Sequence, residues 1–217
     1  MKSRYVSLVI ICCASMLLFG CAQNQELVKS NARQRAIIQD LTNEVERLQQ
    51  EIDKMKQMGS SLEKTKLELE EKLRQQMANG DLAVSMNERG IVVSILDRIL
   101  FDPGKAEVKS SAFDTLSLVA SSLNNLAVGQ LVCVEGHTDS DPIVRSGYKS
   151  NWELSTTRAT EVLHNLVDNC GVDPRNIVAS GFGEFQPVSD NDSVAGKAKN
   201  RRVEIVITRA PRVYQQD

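Results

Sequence analysis

Between Gln25 and Asn79 the chain is densely charged, and apolar residues return every three or four positions. Ile38, Val45, Ile52 and Leu73 mark one seam; Leu41, Leu48, Met55, Leu62 and Leu69 mark the other. This is a heptad, and it predicts a long helix with a narrow apolar stripe. β-branched residues in one seam with leucine in the other favour two parallel strands, so residues 25–79 are expected to form a coiled-coil stalk that pairs two chains as a parallel homodimer. At 1.5 Å per residue such a helix reaches roughly 80 Å. Gly59 and Lys66 interrupt the first seam, and Gly59 is a candidate hinge, because glycine inside a helix costs about 1 kcal/mol. The alternative is a single amphipathic helix folded back on the domain that follows.

Past Asn79-Gly80-Asp81 the period changes. Leu82 to Met86 and Ile91 to Leu96 read as a hairpin around Asn87-Glu88-Arg89-Gly90. Phe101-Asp102-Pro103-Gly104 is a turn. Residues 110–126 carry helical spacing at Phe113, Leu116, Val119, Ala120 and Leu123. Leu131 to Glu135 is a strand whose Val132 and Val134 face the helices, leaving Cys133 and Glu135 on the other side. Ser150 and Glu153 form a capping box that opens a second helix, which continues to Cys170 and stops at Gly171. Strands follow at Asn176 to Ser180 and Arg202 to Thr208, the last with Val203, Ile205 and Ile207 inward. Residues 80–217 are therefore expected to be one α+β domain, a mixed sheet covered by two helices on one face.

The N-terminus has the pattern of a targeting segment. Lys2 and Arg4 precede an apolar stretch from Tyr5 to Phe19, short for a membrane span, which ends in Leu18-Phe19-Gly20-Cys21. The ending resembles a bacterial lipoprotein box, although Phe19 is bulkier than usual. It implies a signal peptide over 1–20, a lipidated N-terminus over 21–24, and acyl chains on Cys21. Each buried methylene adds ~0.8 kcal/mol, so several chains anchor firmly. Ala22, where lipoproteins kept in the inner membrane often carry Asp, implies sorting to the outer membrane, facing the periplasm. A plain signal peptide or membrane anchor is the alternative.

Cys133 and Cys170 then remain, and an oxidising compartment leaves a disulfide between them open. They do not have metal-site spacing, and no metal or cofactor is expected. Aromatic residues are only 4% of the chain, which suits a long solvated helical part better than one compact core. The net charge of −2 shows no basic excess, which argues against nucleic acid as a partner.

Three segments carry the candidate chemistry: Glu135-Gly136-His137-Thr138-Asp139, Asn151 through Ala159, and Asn200-Arg201-Arg202-Val203-Glu204. They put the Asp139 carboxylate just past a strand end and the Arg158 guanidinium about two turns into a helix. A ligand bearing both an ammonium and a carboxylate could receive two charge-assisted bonds of opposite sense. The planar fork of arginine suits a carboxylate better than lysine would. A purely structural Asp139–Arg158 ion pair is the plainer alternative.

The set closely resembles the OmpA-like peptidoglycan-binding domain family (OmpA C-terminal, Pal and MotB C-terminal type) over about the last 120 residues. The resemblance implies peptidoglycan as partner, with Asp139 and Arg158 holding the diaminopimelate of its stem peptide. Thr138, Asn151 and Leu154 would shape the pocket. Gly104 stands where many relatives have Asn, leaving only a backbone contact. Arg202, rather than Arg201, is taken as tied into the fold or the site; His137 is taken as structural. The loop from Asp139 to Asn151 resembles the flagellar-stator version of the family. The function expected is that of an outer-membrane lipoprotein tethering the envelope to the cell wall. The alternative is a MotB-like stator or motility component, against which Tyr5 to Phe19 lacks any Asp or Glu. No nucleophile–base pair or carboxylate pair points to an enzyme.

Overall fold

The computed structural model describes residues 2–124, 126, 130–144 and 147–211, with side chains described for 25–124, 126, 130–144 and 147–208. Cys21 and the predicted signal segment lie outside the residues whose side chains are described. Among the described residues no helix is long and apolar enough to cross a membrane. The chain divides into two compact units, Met1–Lys56 and Gln57–Asp217.

Helix α1 spans Lys2–Lys72 and runs unbroken through Gly59. In the first unit its stripe of Ile38, Leu41, Val45, Leu48, Ile52 and Met55 is exposed. Arg47 pairs with Glu44 and Glu51 one turn to either side, the short-range support a solvated helix uses. In the second unit the same stripe is buried: Leu62, Leu69 and Leu73 are 3%, 0% and 0% exposed and belong to the domain core. The second compact unit therefore takes in the last turns of the expected stalk, whose apolar stripe packs into the domain core. The physical reason is that a heptad seam and a core-facing helix stripe have nearly the same period, so either surface can satisfy it.

The remaining elements are α2 (Arg74–Ala78), β1 (Leu82–Asn87), β2 (Gly90–Leu96), α3 (Asp97–Leu100), α4 (Phe113–Leu123), β3 (Gln130–His137), α5 (Asn151–His164), β4 (Ile177–Gly181), α6 (Val194–Asn200) and β5 (Arg202–Pro211). The sheet order is β1-β2-β5-β3-β4, with β3 and β4 parallel and every other pairing antiparallel. Val93, Ile205 and Val134 lie side by side across it, fully buried beneath the helices. α4 contributes Leu116, Val119 and Ala120 to that core and α5 contributes Ala159 and Val162. Phe113, expected on the same face, opens α4 and is 41% exposed. No disulfide joins Cys133, on the far face of β3, to Cys170, which follows the π-helical turn Asn165–Asn169.

Two contacts fix α5 where the site needs it. The Ser150 hydroxyl accepts the Glu153 N–H, and the Glu153 carboxylate accepts the Lys149 N–H at 2.8 Å. The return bond of the capping box thus goes one residue further back than Ser150. Gly136 of β3 and Gly181 of β4 let the helix lie directly on the sheet: a Cβ at Gly136 would collide with the Ser155 carbonyl, and one at Gly181 with the Thr156 backbone. Backbone against backbone cannot yield as a side chain could, so these two glycines set the height of Leu154 and Arg158.

Candidate functional site

A cleft of about 600 Å³ opens where β3 ends, between α3, the 101–104 turn, the loop after β3 and the first half of α5. Asp139, Arg158, Thr138, Asn151, Leu154 and Gly104 all line it. Arg202 does not; Asp97 and Arg201 do.

Arg158 is 4% exposed. Its Nε donates to the Lys105 carbonyl at 3.1 Å, its Nη1 lies 3.4 Å from the Asp97 carboxylate, and its guanidinium carbon sits 4.9 Å from the centre of the Phe101 ring. Burial pushes its pKa below the usual arginine value, opposed mainly by Asp97, yet an arginine stays charged in proteins. Five N–H donors, two of them spent on Lys105 and Asp97, leave capacity for a ligand. Gly104, in the left-handed region at φ +73°, makes the turn that delivers the Lys105 carbonyl.

Asp139 is 6% exposed. One carboxylate oxygen accepts the Asp141 N–H at 3.1 Å, and the other accepts Arg201 Nη1 at 2.6 Å. Asp139 and Arg158 therefore each pair with another residue rather than with one another. Arg201 also comes within 3.5 Å of Asp97, so two carboxylates and two guanidiniums alternate around the cleft. Burial raises the Asp97 pKa, against the pull of Arg158 and Arg201. Burial opposes the charge of Arg201 too, but Asp139 and Asp97 outweigh it and its pKa rises.

The surrounding loops are pinned. The Asn151 amide donates to the carbonyls of Asp139 and Asp141, and the Thr138 hydroxyl to the Asp139 carbonyl at 2.8 Å. Asn151 thus shapes the cleft by holding its rim. Asn200, fully buried, accepts the N–H groups of Val188 and Ser189 and donates to Ser189 and Asn191, which fixes the approach to Arg201.

Arg202 belongs to a second cluster on the face of the sheet away from the helices. Its Nε donates to Glu204 at 2.7 Å, and Arg89 bridges Glu135 and Glu204 at 2.6 Å each. Because Val203, Ile205 and Ile207 face the helices, Arg202 and Glu204 must face the opposite way, and Arg201 is the arginine on the cleft side. Alternation alone could have chosen it. Asp97 had no such signal, since α3 has only four residues and follows β2 directly. His137 is 1% exposed, stacks on Phe182 at 5.3 Å, and has no hydrogen bond to either ring nitrogen. Burial first, and Arg202 second, lower its pKa to about 4. Glu135, His137 and Glu204 are close enough to converge on a metal ion, but Arg89 and Arg202 already neutralise both carboxylates, which makes an ion-pair network of them.

Residues 100–201 match the OmpA family. The chain is similar to motility protein B of Bacillus subtilis, 34% identical over 149 residues, 67% of this chain and 56% of that protein. It is similar to the probable lipoprotein YiaD of Escherichia coli, 34% identical over 139 residues, 64% of this chain and 61% of that protein. It spans little more than half the length of these relatives. Among solved structures, the cell wall anchor of the T6SS from Pseudomonas aeruginosa superposes with a TM-score of 0.59 at 34% identity, over 64% of this chain and 96% of that one. The matched segment runs from Leu100, at the end of α3, to Arg201, and so takes in most of the cleft. The chain belongs to the OmpA family, through a C-terminal domain of the OmpA-like peptidoglycan-binding type.

Proposed function

We propose that this chain tethers the cell envelope to peptidoglycan, with Asp139 taking the ammonium and Arg158 the carboxylate of a diaminopimelate stem residue. The observation that carries the reading is the chain of alternating charges Asp139–Arg201–Asp97–Arg158 in one cleft. Arg201 donates to Asp139 as a ligand ammonium would, and Asp97 accepts from Arg158 as a ligand carboxylate would. An incoming zwitterion exchanges with both, and the displaced Asp97 and Arg201, already 3.5 Å apart, neutralise each other. No charge is left buried without a partner at any stage, the condition on which buried ion pairs are tolerable. The reading assigns binding only and no catalytic step.

The rest of the tether is inferred with it. Cys21 carries the lipid that holds the outer membrane, and the exposed α1 stripe pairs two chains in parallel. The similarity to a probable lipoprotein and to a cell wall anchor supports the lipid and the wall contact, and the exposed heptad stripe supports the pairing. The similarity to motility protein B favours a second reading, a stator-type component held in the inner membrane. Mass spectrometry of the mature N-terminus separates them, since acylated Cys21 fits the first and an intact segment 1–20 the second.

The test of the cleft is co-sedimentation of the full chain with purified sacculi at two salt concentrations. Arg158→Ala and Asp139→Asn are each expected to weaken capture at least about tenfold, and at both salt concentrations, because truncating one partner of a buried charge pair is costly and buried pairs are little screened. Arg175→Ala, which removes an exposed arginine paired with Asp173, is the control and leaves capture unchanged. Undiminished capture by Arg158→Ala would sink the assignment.

A further inference from the structure

Trp152, the second residue of α5, and Phe185, in the loop after β4, stack with ring centroids 5.1 Å apart and planes 21° from parallel. They remain 49% and 62% exposed. The pair is held, not loose. The Gly183 N–H donates to the buried Ser155 hydroxyl at 3.0 Å, and the Gly183 carbonyl accepts the Thr138 N–H at 2.9 Å. Phe185 is thereby tied both to α5 and to the cleft loop. Trp152 directly follows Asn151, a cleft residue, so their α-carbons are ~3.8 Å apart. The aromatic pair is a continuation of the cleft rim.

We propose that Trp152 and Phe185 form a stacking platform for the glycan strand of peptidoglycan, a second subsite beside the peptide cleft. Two half-exposed rings offer at most a few hundred Å², since each aromatic side chain buries roughly 150–250 Å² in full. A stable protein partner needs roughly 1,200–2,000 Å². One or two sugar rings match the smaller area. A pyranose presents a face of C–H groups, which the negative face of an indole or phenyl ring attracts, and a rim of hydroxyl and acetamido groups. Glu153, Glu184 and Gln186 flank the two rings in sequence. The choice of occupant rests on the peptide-cleft reading: a stem peptide held by Asp139 and Arg158 is covalently borne on a glycan of N-acetylated amino sugars. Two or three extended stem residues span up to ~10 Å, the scale of the step from cleft to rim.

Trp152 is the only tryptophan in the chain, so its emission reports on the platform alone. The full chain is titrated with three probes: a disaccharide-tripeptide muropeptide, the same tripeptide freed of sugar, and an N-acetylglucosamine tetramer. The expected result is a saturable emission shift with the muropeptide and the tetramer and none with the free tripeptide. Calorimetry is expected to give the muropeptide a roughly three- to tenfold tighter affinity than the tripeptide. Phe185→Ala and Trp152→Ala abolish that preference and leave tripeptide affinity unchanged. An emission that responds to neither glycan probe, or to the free tripeptide as much as to the muropeptide, overturns the platform even if the tripeptide binds. If the tripeptide fails to bind while the tetramer shifts the emission, the cleft reading falls and the platform stands.

Discussion

Asp97 was invisible in the sequence, and it is the carboxylate that pairs with both cleft arginines, Arg158 and Arg201. It is the acidic partner of the deeply buried Arg158. Asp97→Asn leaves that guanidinium uncompensated and is expected to cost about 1–3 kcal/mol of stability, the long 3.4 Å contact placing it at the lower end for buried pairs. The same variant should gain more thermal stabilisation from a diaminopimelate-containing tripeptide than the wild type does, because the ligand carboxylate supplies the missing charge. Melting curves with and without the peptide check both, and wild-type behaviour in both would refute the exchange of partners. His137 makes a separate pH prediction. Its folded pKa of about 4 lies below the unfolded 6.5, so between these values the unfolded chain takes a proton that the folded one refuses. Stability therefore falls as pH drops from 6.5 to 4, by on the order of 3 kcal/mol from this group. Its neighbours Glu135, Glu204, Arg89 and Arg202 also shape the acid response, so the comparison to make is with His137→Phe, in which the loss across this window should shrink.

At the scale of elements, most of the fold was legible because period and punctuation agreed. The β1–β2 hairpin, the inward valines of β3 and β5, and the cap of α5 each follow from a local rule that tertiary packing did not override. What could not be read were α3 and α6, four and seven residues long, too short to show a helical period. Arg202, expected to be tied into the fold or the site, is tied into the fold on the far face of the sheet, and Arg201, which strand parity places on the other side, lines the cleft beside Arg158. The end of α1 could not be divided between stalk and domain, because Leu62 and Leu69 fit either use. The structure gives them to the core, and this has a measurable consequence. Leu69→Ala is expected to destabilise the domain by about 2–5 kcal/mol, as for a buried leucine in any core. A chemical denaturation midpoint unchanged by it would mean that the helix end is only spacer.

For the whole molecule, the exposed apolar stripe from Ile38 to Met55 is the surface that calls for a partner. Sedimentation equilibrium of the full chain is expected to report a dimer, and the double change Val45→Glu with Leu48→Glu a monomer. The paired form should hold sacculi roughly 10²-fold or more tightly than the monomer, since the second head binds at high effective concentration. Both forms should bind a single soluble tripeptide equally, and a monomeric wild type would remove the paired tether from the reading. The burial of Leu62, Leu69 and Leu73 also bears on how such a link carries load. In the proposed tether, tension drawn along α1 meets those three side chains before it reaches any strand. In that reading the segment 57–72 is expected to peel first, and unravelling it from helix to extended chain would release ~30 Å of slack. A sudden tug would be absorbed there, like a shock cord, while the grip on the wall stays closed.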